Sequence, residues 1–315
     1  MDKQGKEALL EVLSHVFESE EGVEGLVYLD IQKIFYHLRE RLDEDNDIKE
    51  YLQYYWYIDG KVSDTVKQAV DHGAESEILD VQPTRGGGGE WYVISGKFSP
   101  PADSAGYEKI DRADIETSKE EVEKVLKEDY NLFSKHDEKI DGMYENAPYD
   151  FQRHFKLNVL FSINRFADGK RPLLGLDNLK SDISMAEAYL PLSEGFEGFN
   201  EIFSRYVNVA ERYLEAMSES DRMLSGRFEQ LSENVWRLFC QKLRLLEHDS
   251  YYESKLEDWE EEYERTKTFV ANDIIEFRRM LDSELGDEKE MTKAPEDSTW
   301  GKIAADYLDE SELEE

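Results

Sequence analysis

A helical apolar repeat that runs almost without interruption from residue 118 to about residue 285 constrains the fold of this chain most. Apolar residues recur there at the three- and four-residue spacing of amphipathic helices. Short proline, glycine and serine breaks divide the repeat into predicted helices over 118–134, 149–167, 178–190, 196–217, 221–247 and 251–284. The last two are long enough to pack as an antiparallel pair, so we predict a helical-bundle domain over 118–285.

Residues 1–98 follow a different pattern, in which helices precede one β-hairpin. Apolar residues keep a helical period in residues 4–18 and again in a second helix from Leu26, and Ser63 is placed to cap a further short helix. Two β-prone runs, 78–81 and 91–95, then flank a glycine-rich loop. This order predicts an N-terminal winged-helix domain, so the expected fold class is mainly α.

Two further segments differ in composition from these domains. Residues 99–117 are rich in proline, serine and glycine and are predicted to form a linker, and residues 286–315 form an acidic tail. The tail also carries apolar residues at helix spacing: Trp300, Ile303, Ala304, Tyr307 and Leu308. Such a segment can dock in a groove of a partner or on the body of its own chain, and both alternatives stay open.

The chain is strongly acidic, with 73 acidic and 38 basic residues and a net charge of −35. A hydrophobic content of 39% and an aromatic content of 12% can still close a core, which excludes generic disorder. The acids are spread along the chain, since residues 1–100 hold 21 acids and 10 bases. Even spreading favours a halophilic protein adapted to a salt-rich cytoplasm, while an acidic nucleic-acid mimic remains the alternative.

The expected location is the cytoplasm. The start of the chain has mixed charge and lacks the apolar run of a signal peptide, and no stretch approaches the ~20 apolar residues that cross a bilayer. The single cysteine, Cys240, excludes an internal disulfide and a cysteine-based zinc site. It lies in an apolar run and is expected to be a buried small side chain.

The predicted winged helix offers a first set of contact residues. Its short fourth helix would expose Thr65, Lys67 and Gln68, with Arg85 at the tip of the wing. Winged helices place such a helix in the DNA major groove, but many bind only proteins. Asp64 and the absence of a basic cluster favour a protein partner, and duplex DNA stays open as the alternative.

Residues 54–70 carry a resemblance to a known family. An aromatic run is followed by Gly-x-Val-Ser and a short valine-rich helix, with Trp56, Gly60 and Ser63 as the scaffold. This pattern resembles the Panacea-type antitoxin domain, in which an aromatic helix leads into a Gly-Pro-Val-type turn; here Lys61 stands where proline is expected. The similarity covers about residues 48–97. It implies a protein that neutralises a toxin by direct binding, without catalysis of its own.

Basic islands in the acidic chain give a second predicted surface. Residues 153–171 hold five bases, namely Arg153, Lys156, Arg165, Lys170 and Arg171. Residues 235–246 hold Arg237, Lys242 and Arg244. These side chains either form internal ion pairs with acidic neighbours or bind an anion or an acidic partner. The sequence favours the internal pairs.

No catalytic or metal-binding motif is recognisable. The six histidines are scattered without the i, i+4 spacing of a helical zinc site, and carboxylate pairs are expected by chance in so acidic a chain. Phosphate-binding and nucleophile-elbow motifs are missing. We therefore predict a non-enzyme without cofactor or metal: an antitoxin-like or regulatory protein whose winged helix and helical body bind a protein partner. A dimeric winged-helix transcription regulator, paired through residues 221–284, is the alternative of a different class.

Overall fold

The computed structural model describes residues 1–18, 25–83, 90–94, 107–129, 144, 147–167, 175–216 and 222–291. This part of the chain is mainly helical with small antiparallel sheets, which confirms the predicted mainly α fold class. The chain divides into two compact units. Unit 1 comprises Met1–Pro148 and Cys240–Glu262, and unit 2 comprises Tyr149–Phe239 and Tyr263–Glu315.

Unit 1 mixes helices with short strands. In chain order its elements are α1 (Lys3–Glu18), β1 (Leu26–Val27), α2 (Tyr28–Arg41), α3 (Asp47–Tyr51), β2 (Tyr55–Tyr57), β3 (Gly60–Val62), α4 (Asp64–Glu75), β4 (Leu79–Pro83), β5 (Glu90–Ile94) and α5 (Arg112–Lys124), which a π-helical stretch (Val125–Asp129) continues. Helix α1 is the core element, because α3, α4 and α5 all pack against it. Its apolar residues from Ala8 to Val16 are almost completely buried.

The predicted hairpin is present and belongs to a three-stranded sheet of order β1-β5-β4. Strands β4 and β5 pair antiparallel with Leu79 opposite Ile94, and Leu26 of β1 lies opposite Tyr92. The predicted hairpin follows α4 as expected, but α3 and the strands β2 and β3 lie between α2 and α4, where the winged-helix prediction placed no second hairpin. Gly73 of α4 allows close packing here, since a Cβ atom on it would lie 2.8 Å from both Leu10 and Leu79.

A second hairpin, which the sequence did not predict, occupies the aromatic run. Strands β2 and β3 pair antiparallel, with Trp56 opposite Lys61. Helix α3 ends at Tyr51, so the aromatic helix that the antitoxin resemblance implies is a short helix followed by a strand. Trp56 is buried while its two neighbours are half-buried, which is the alternation of a strand. Gly60 has a φ of 114°, which favours glycine at that position.

The predicted linker ends earlier than expected. Helix α5 begins at Arg112, after Asp111 accepts a hydrogen bond from the Ala113 backbone N–H at 2.9 Å, so residues 112–117 are helical. Ile115 and Val122 are fully buried, and α5 packs against α1 and α2. The first predicted bundle helix therefore belongs to unit 1. Residues 240–262 also belong to unit 1, which a division of the chain into consecutive segments could not anticipate.

Unit 2 consists of helices. They are α6 (Asp150–His154), a π-helical stretch (Phe155–Leu160), α7 (Phe161–Ala167), α8 (Gly175–Ala188), α9 (Glu197–Ala216), and the parts of α10 (Arg222–Leu246) and α11 (Leu256–Met291) outside 240–262. Asn234 of α10 donates a hydrogen bond to Asp273 of α11 at 3.2 Å, and six residues earlier on α10 the Phe228 ring lies 6.0 Å from Phe277, which follows Asp273 on α11. These contacts confirm the predicted antiparallel pair.

An aromatic cluster forms the core of unit 2. The Phe151 ring lies 5.3 Å from Phe155, 5.0 Å from Phe203 and 4.6 Å from Phe239. All four side chains are fully buried. Ring pairs at these distances add to the hydrophobic free energy of burial.

Candidate binding surface of unit 1

The start of α4 is fixed by hydrogen bonds. The Ser63 hydroxyl accepts a hydrogen bond from the Val66 backbone N–H at 3.3 Å, which confirms the predicted cap. The Gln32 side chain of α2 binds both backbone groups of Ser63, at 2.8 Å to its N–H and 2.9 Å to its carbonyl. The first turn of α4 is therefore held in one position relative to α2.

The predicted contact residues on α4 differ in accessibility. Lys67 is exposed, and its Nζ lies 2.7 Å from a carboxylate oxygen of Asp71 on the next turn. Gln68 is half-buried, and its Oε1 accepts a hydrogen bond from the Met1 ammonium at 3.2 Å. Of the three predicted contact residues that the structure describes, Lys67 alone is exposed. Arg85, at the tip of the wing, lies outside the described residues.

The prediction that Thr65 is exposed is wrong. Its side chain is 1% exposed, because its hydroxyl donates a hydrogen bond to the Tyr51 carbonyl and lies 2.7 Å from the Ser63 hydroxyl. A threonine in the first turn of a helix can bond neighbouring backbone groups instead of pointing outward. Thr65 therefore joins α3 to α4 and is not available to DNA or protein.

The first turn of α4 is covered by residues 247–259, which we call the covering segment. The Asp64 backbone N–H donates to the Tyr252 hydroxyl at 3.0 Å, and the Asp64 carboxylate pairs with Lys255. The Tyr252 hydroxyl in turn donates to the Gln53 carbonyl at 2.9 Å. Burial raises the pKa of Tyr252 above its ordinary value, so this hydroxyl keeps the proton that it donates to Gln53 in mildly alkaline solution as well as at neutral pH.

Backbone contacts hold the covering segment against the second hairpin. The Asp249 N–H donates to the Tyr54 carbonyl at 3.0 Å, and the Trp56 N–H donates to the Glu247 carbonyl at 3.3 Å. The Asp249 carboxylate accepts from the Tyr54 N–H at 2.6 Å and from Arg39 at 3.0 Å. The covering segment and residues 54–56 therefore hold each other in place. In helix-turn-helix proteins the first residues of the recognition helix touch base edges. Here the first turn of α4 already bonds the covering segment and is not free to contact bases.

The exposed remainder of α4 and its hairpin is acidic. Among the described positions of this surface, the exposed basic residue is Lys67. The exposed acidic residues are Asp71, Glu75, Glu77, Asp80 and Glu90. We call this set, together with Lys67, the acidic ridge. Phosphates repel such a surface, whereas a basic protein surface is attracted to it.

The predicted second basic surface in unit 2 is partly present. Arg153 and Arg165 are exposed, and the Arg165 guanidinium lies 5.5 Å from the Phe161 ring centre. Lys156 is half-buried, with its Nζ 5.7 Å from the Trp236 ring centre. Lys170 and Arg171 lie outside the described residues. Arg153 and Arg165 are twelve residues apart on one helical run, about 18 Å along its axis, so they do not converge on one point.

The second basic island differs from the first. Arg244 is buried and pairs with Glu262, and its guanidinium lies 4.7 Å from the Trp259 ring centre. This is the internal ion pair that the sequence favoured. Arg237, by contrast, is exposed. Sequence reasoning missed the covering segment and also a groove lined by arginines on α9 and α11, although Arg205 and Arg212 recur at a spacing of seven residues that predicts one helix face.

Among the described residues, no group of three or more His, Cys, Asp or Glu side chains is placed to hold a metal ion. Among the helices described, none is long and apolar enough to cross a membrane. No protein-family model matches this chain, and comparisons with curated proteins and with solved structures give no significant match.

Proposed function

We propose that this chain is a non-catalytic, antitoxin-like or regulatory protein that binds a basic protein partner through the acidic ridge of unit 1. The observation that carries the proposal is the sign of charge on the exposed part of α4 and its hairpin. Among the described positions there, one exposed lysine stands against five exposed acidic residues, and that lysine already pairs with Asp71 at 2.7 Å. Complementary charge speeds association and excludes partners of the same charge.

The covered start of α4 supports a protein partner over duplex DNA. A winged helix that reads the major groove needs the first turn of its recognition helix. Here Tyr252 and Lys255 bond that turn, and Thr65 is turned inward. A partner that approaches the ridge from the side of Glu75 and Asp80 meets exposed side chains without displacing the covering segment.

A charge-reversal pair tests the proposal. The Glu75→Lys/Asp80→Lys variant changes the ridge, and Asp45→Lys/Glu120→Lys makes the same change of net charge at exposed positions of unit 1 away from it. We expect the ridge variant to lose its stoichiometric partner in quantitative affinity purification from the native cell, and the control to retain it. Equal recovery by both variants would overturn the assignment of the ridge.

A second measurement separates the partner classes. We expect no binding of a random-sequence duplex to the wild-type chain at about 50 mM salt, where phosphate contacts are strongest. Salt-dependent binding of the duplex would favour the dimeric transcription regulator instead.

A nucleic-acid mimic is a second candidate, because α4, the helix that would otherwise meet DNA, exposes the carboxylates of Asp71 and Glu75. In that case the partner is itself a nucleic-acid-binding protein. A duplex or single strand added to the isolated complex would then displace this chain, and the ridge variant would be displaced at a lower concentration. A partner that is unaffected by nucleic acid excludes mimicry and leaves simple protein binding.

A further inference from the structure

A groove of about 490 Å³ lies between α9 and α11 in unit 2. Three arginines line it: Arg205 and Arg212 on α9 and Arg278 on α11. Three cations on one groove contrast with the composition of the chain, in which acids outnumber bases 73 to 38. The groove therefore attracts anions in a protein whose overall charge repels them.

The arginines of the groove retain capacity for another anion. Arg205 pairs with Glu201 at 2.5 Å and Arg212 pairs with Asp282, but both pairs are about half exposed. Exposed pairs contribute about 0–1 kcal/mol, so they exchange easily for other carboxylates. Arg278 is exposed and has no hydrogen-bond or ion-pair partner among the residues that the structure describes.

Apolar side chains of the same groove offer a second kind of contact. Val209 and Ile274 lie at its base with 5% and 4% exposure, and Ile275 is 45% exposed. An occupant that matches both features has one apolar face flanked by carboxylates. An amphipathic acidic helix meets that description.

Residues 292–315 of this chain have that chemistry. They hold eight acidic and two basic residues, and the apolar positions are Trp300, Ile303, Ala304, Tyr307 and Leu308. The spacing of these five residues places them on one side of a helix. The segment follows directly after α11, one of the two helices that form the groove.

The connecting length suffices for this segment to turn back. Arg278 precedes Met291 by thirteen residues of helix, or about 20 Å. Residues 292–299 span up to about 26 Å when extended. Residues 300–308 as a helix are about 12 Å long, and Arg205 and Arg212 are separated by about 10 Å along α9.

We propose that residues 300–308 dock as an amphipathic helix in the arginine-lined groove between α9 and α11 of the same chain, with Asp306 in the helix and Asp309 and Glu310 directly after it. Their apolar side packs on Val209, Ile274 and Ile275, and the neighbouring carboxylates pair with the three arginines. This inference does not depend on the function proposed for unit 1, because groove and segment belong to unit 2.

Hydrogen exchange of the full chain tests the docking. At low salt we expect the amides of residues 300–308 to exchange at least about tenfold more slowly than those of the free 292–315 peptide. In Arg278→Glu, and in a Trp300→Ala/Tyr307→Ala variant, this protection is lost. In the matched control Arg279→Glu, whose side chain is exposed on the next position of α11 but does not line the groove, it remains.

Two further conditions complete the test. In about 1 M salt, where the Debye length is ~3 Å, the protection of residues 300–308 decreases because the arginine contacts are screened. Protection that does not change between about 1 and 100 µM protein supports docking within one chain, since a tethered segment does not depend on concentration. Exchange at the rate of the free peptide, an equal effect of Arg278→Glu and Arg279→Glu, or protection that grows with concentration overturns the proposal.

Discussion

The cores of units 1 and 2 are built from different kinds of side chain. Unit 2 packs rings against rings, as around Phe151 and Phe239. Unit 1 packs aliphatic side chains around α1 but also buries polar groups, such as Glu11, which is 3% exposed. Packed rings contribute through buried area and edge-to-face or offset geometry, whereas a buried carboxylate requires each of its charged and hydrogen-bonding partners. Unit 2 also buries a carboxylate, Asp273, against Arg227 and Asn234. The comparison therefore teaches that the two units differ in the side chains of their apolar cores and share the use of buried charge.

Alkaline pH should distinguish the units most strongly. Burial raises the pKa of Tyr54, Tyr144 and Tyr252 in unit 1, and of Tyr206 and Tyr263 in unit 2. A tyrosine with a raised folded-state pKa keeps its proton when the unfolded chain has lost it, so stability is lost as the pH rises above about 10. Tyr54, Tyr144 and Tyr252 are each at most 2% exposed, so unit 1 must open before these hydroxyls can ionise.

Unit 1 is therefore expected to open first as the pH rises, because Tyr28, Tyr92 and Tyr107 of that unit also have raised pKa values from burial. Brief proteolysis with an alkaline-active protease, followed by mass spectrometry of the fragments, measures which unit is cleaved. First cleavage within 175–216 would reverse this ranking of the two units.

Removing one ring from the core of unit 2 is expected to destabilise that unit strongly. Phe151→Ala leaves a cavity among Phe155, Phe203 and Phe239 and should lower the free energy of unfolding by about 3–5 kcal/mol. Urea denaturation followed by circular dichroism measures it. Phe269→Ala is the matched control, because that ring is 57% exposed, and it should change stability by less than about 0.5 kcal/mol.

Removing a buried charge from unit 1 should cost about 2–3 kcal/mol. Glu11 accepts hydrogen bonds from Lys119 at 2.6 Å and from the Tyr107 hydroxyl at 2.9 Å, and it pairs with Arg112 at 2.7 Å. Glu11→Gln leaves these partners without a carboxylate, at the lower end of the cost for buried pairs because Arg112 is half exposed. Glu7→Gln is the control, because its one ion-pair partner among the described residues, Lys3, is 78% exposed. Equal midpoints in urea would show that the cluster is not needed.

Two glycines, one in each unit, give the smallest expected effects and opposite signs. Gly73→Ala places a Cβ atom 2.8 Å from Leu10 and Leu79 and should destabilise unit 1 by about 1–3 kcal/mol. Gly226→Ala meets no atom within 4 Å on an exposed face of α10, so it should stabilise that helix by up to about 1 kcal/mol. Thermal unfolding of both variants measures the difference, and a stabilised Gly73→Ala would mean that α4 packs less tightly on α1.

The helices could be predicted from the sequence because their apolar period is local. The predicted segments 196–217 and 221–247 differ by one residue at each end from Glu197–Ala216 and Arg222–Leu246. Ser63 was identified as a cap for the same reason, since its hydroxyl bonds a residue three positions away. The hairpin formed by Tyr55–Tyr57 and Gly60–Val62 was missed. Its first strand lies in a run of four aromatic residues, 54–57, and such a run shows no period that distinguishes a strand from a helix.

The candidate site was harder to predict, because its contacts join distant parts of the chain. Nothing near Asp64 in the sequence indicates that Tyr252 and Lys255 cover it, 188 and 191 residues later. The inward orientation of Thr65 likewise depends on the carbonyl of Tyr51, which becomes a neighbour only after the second hairpin forms. Lys67 was predicted correctly as exposed. Because it pairs with Asp71, it does not make the surface around it basic, and the other exposed carboxylates leave that surface acidic.

The late position of the covering segment also has a consequence during translation. Ribosomes add about 5–20 residues per second. The 188 residues between Asp64 and Tyr252 therefore take roughly 10–40 s to synthesise. In the nascent chain the first turn of α4 therefore lacks, for that interval, the hydrogen bond from Asp64 to Tyr252 and the ion pair with Lys255 that cover it in the folded protein.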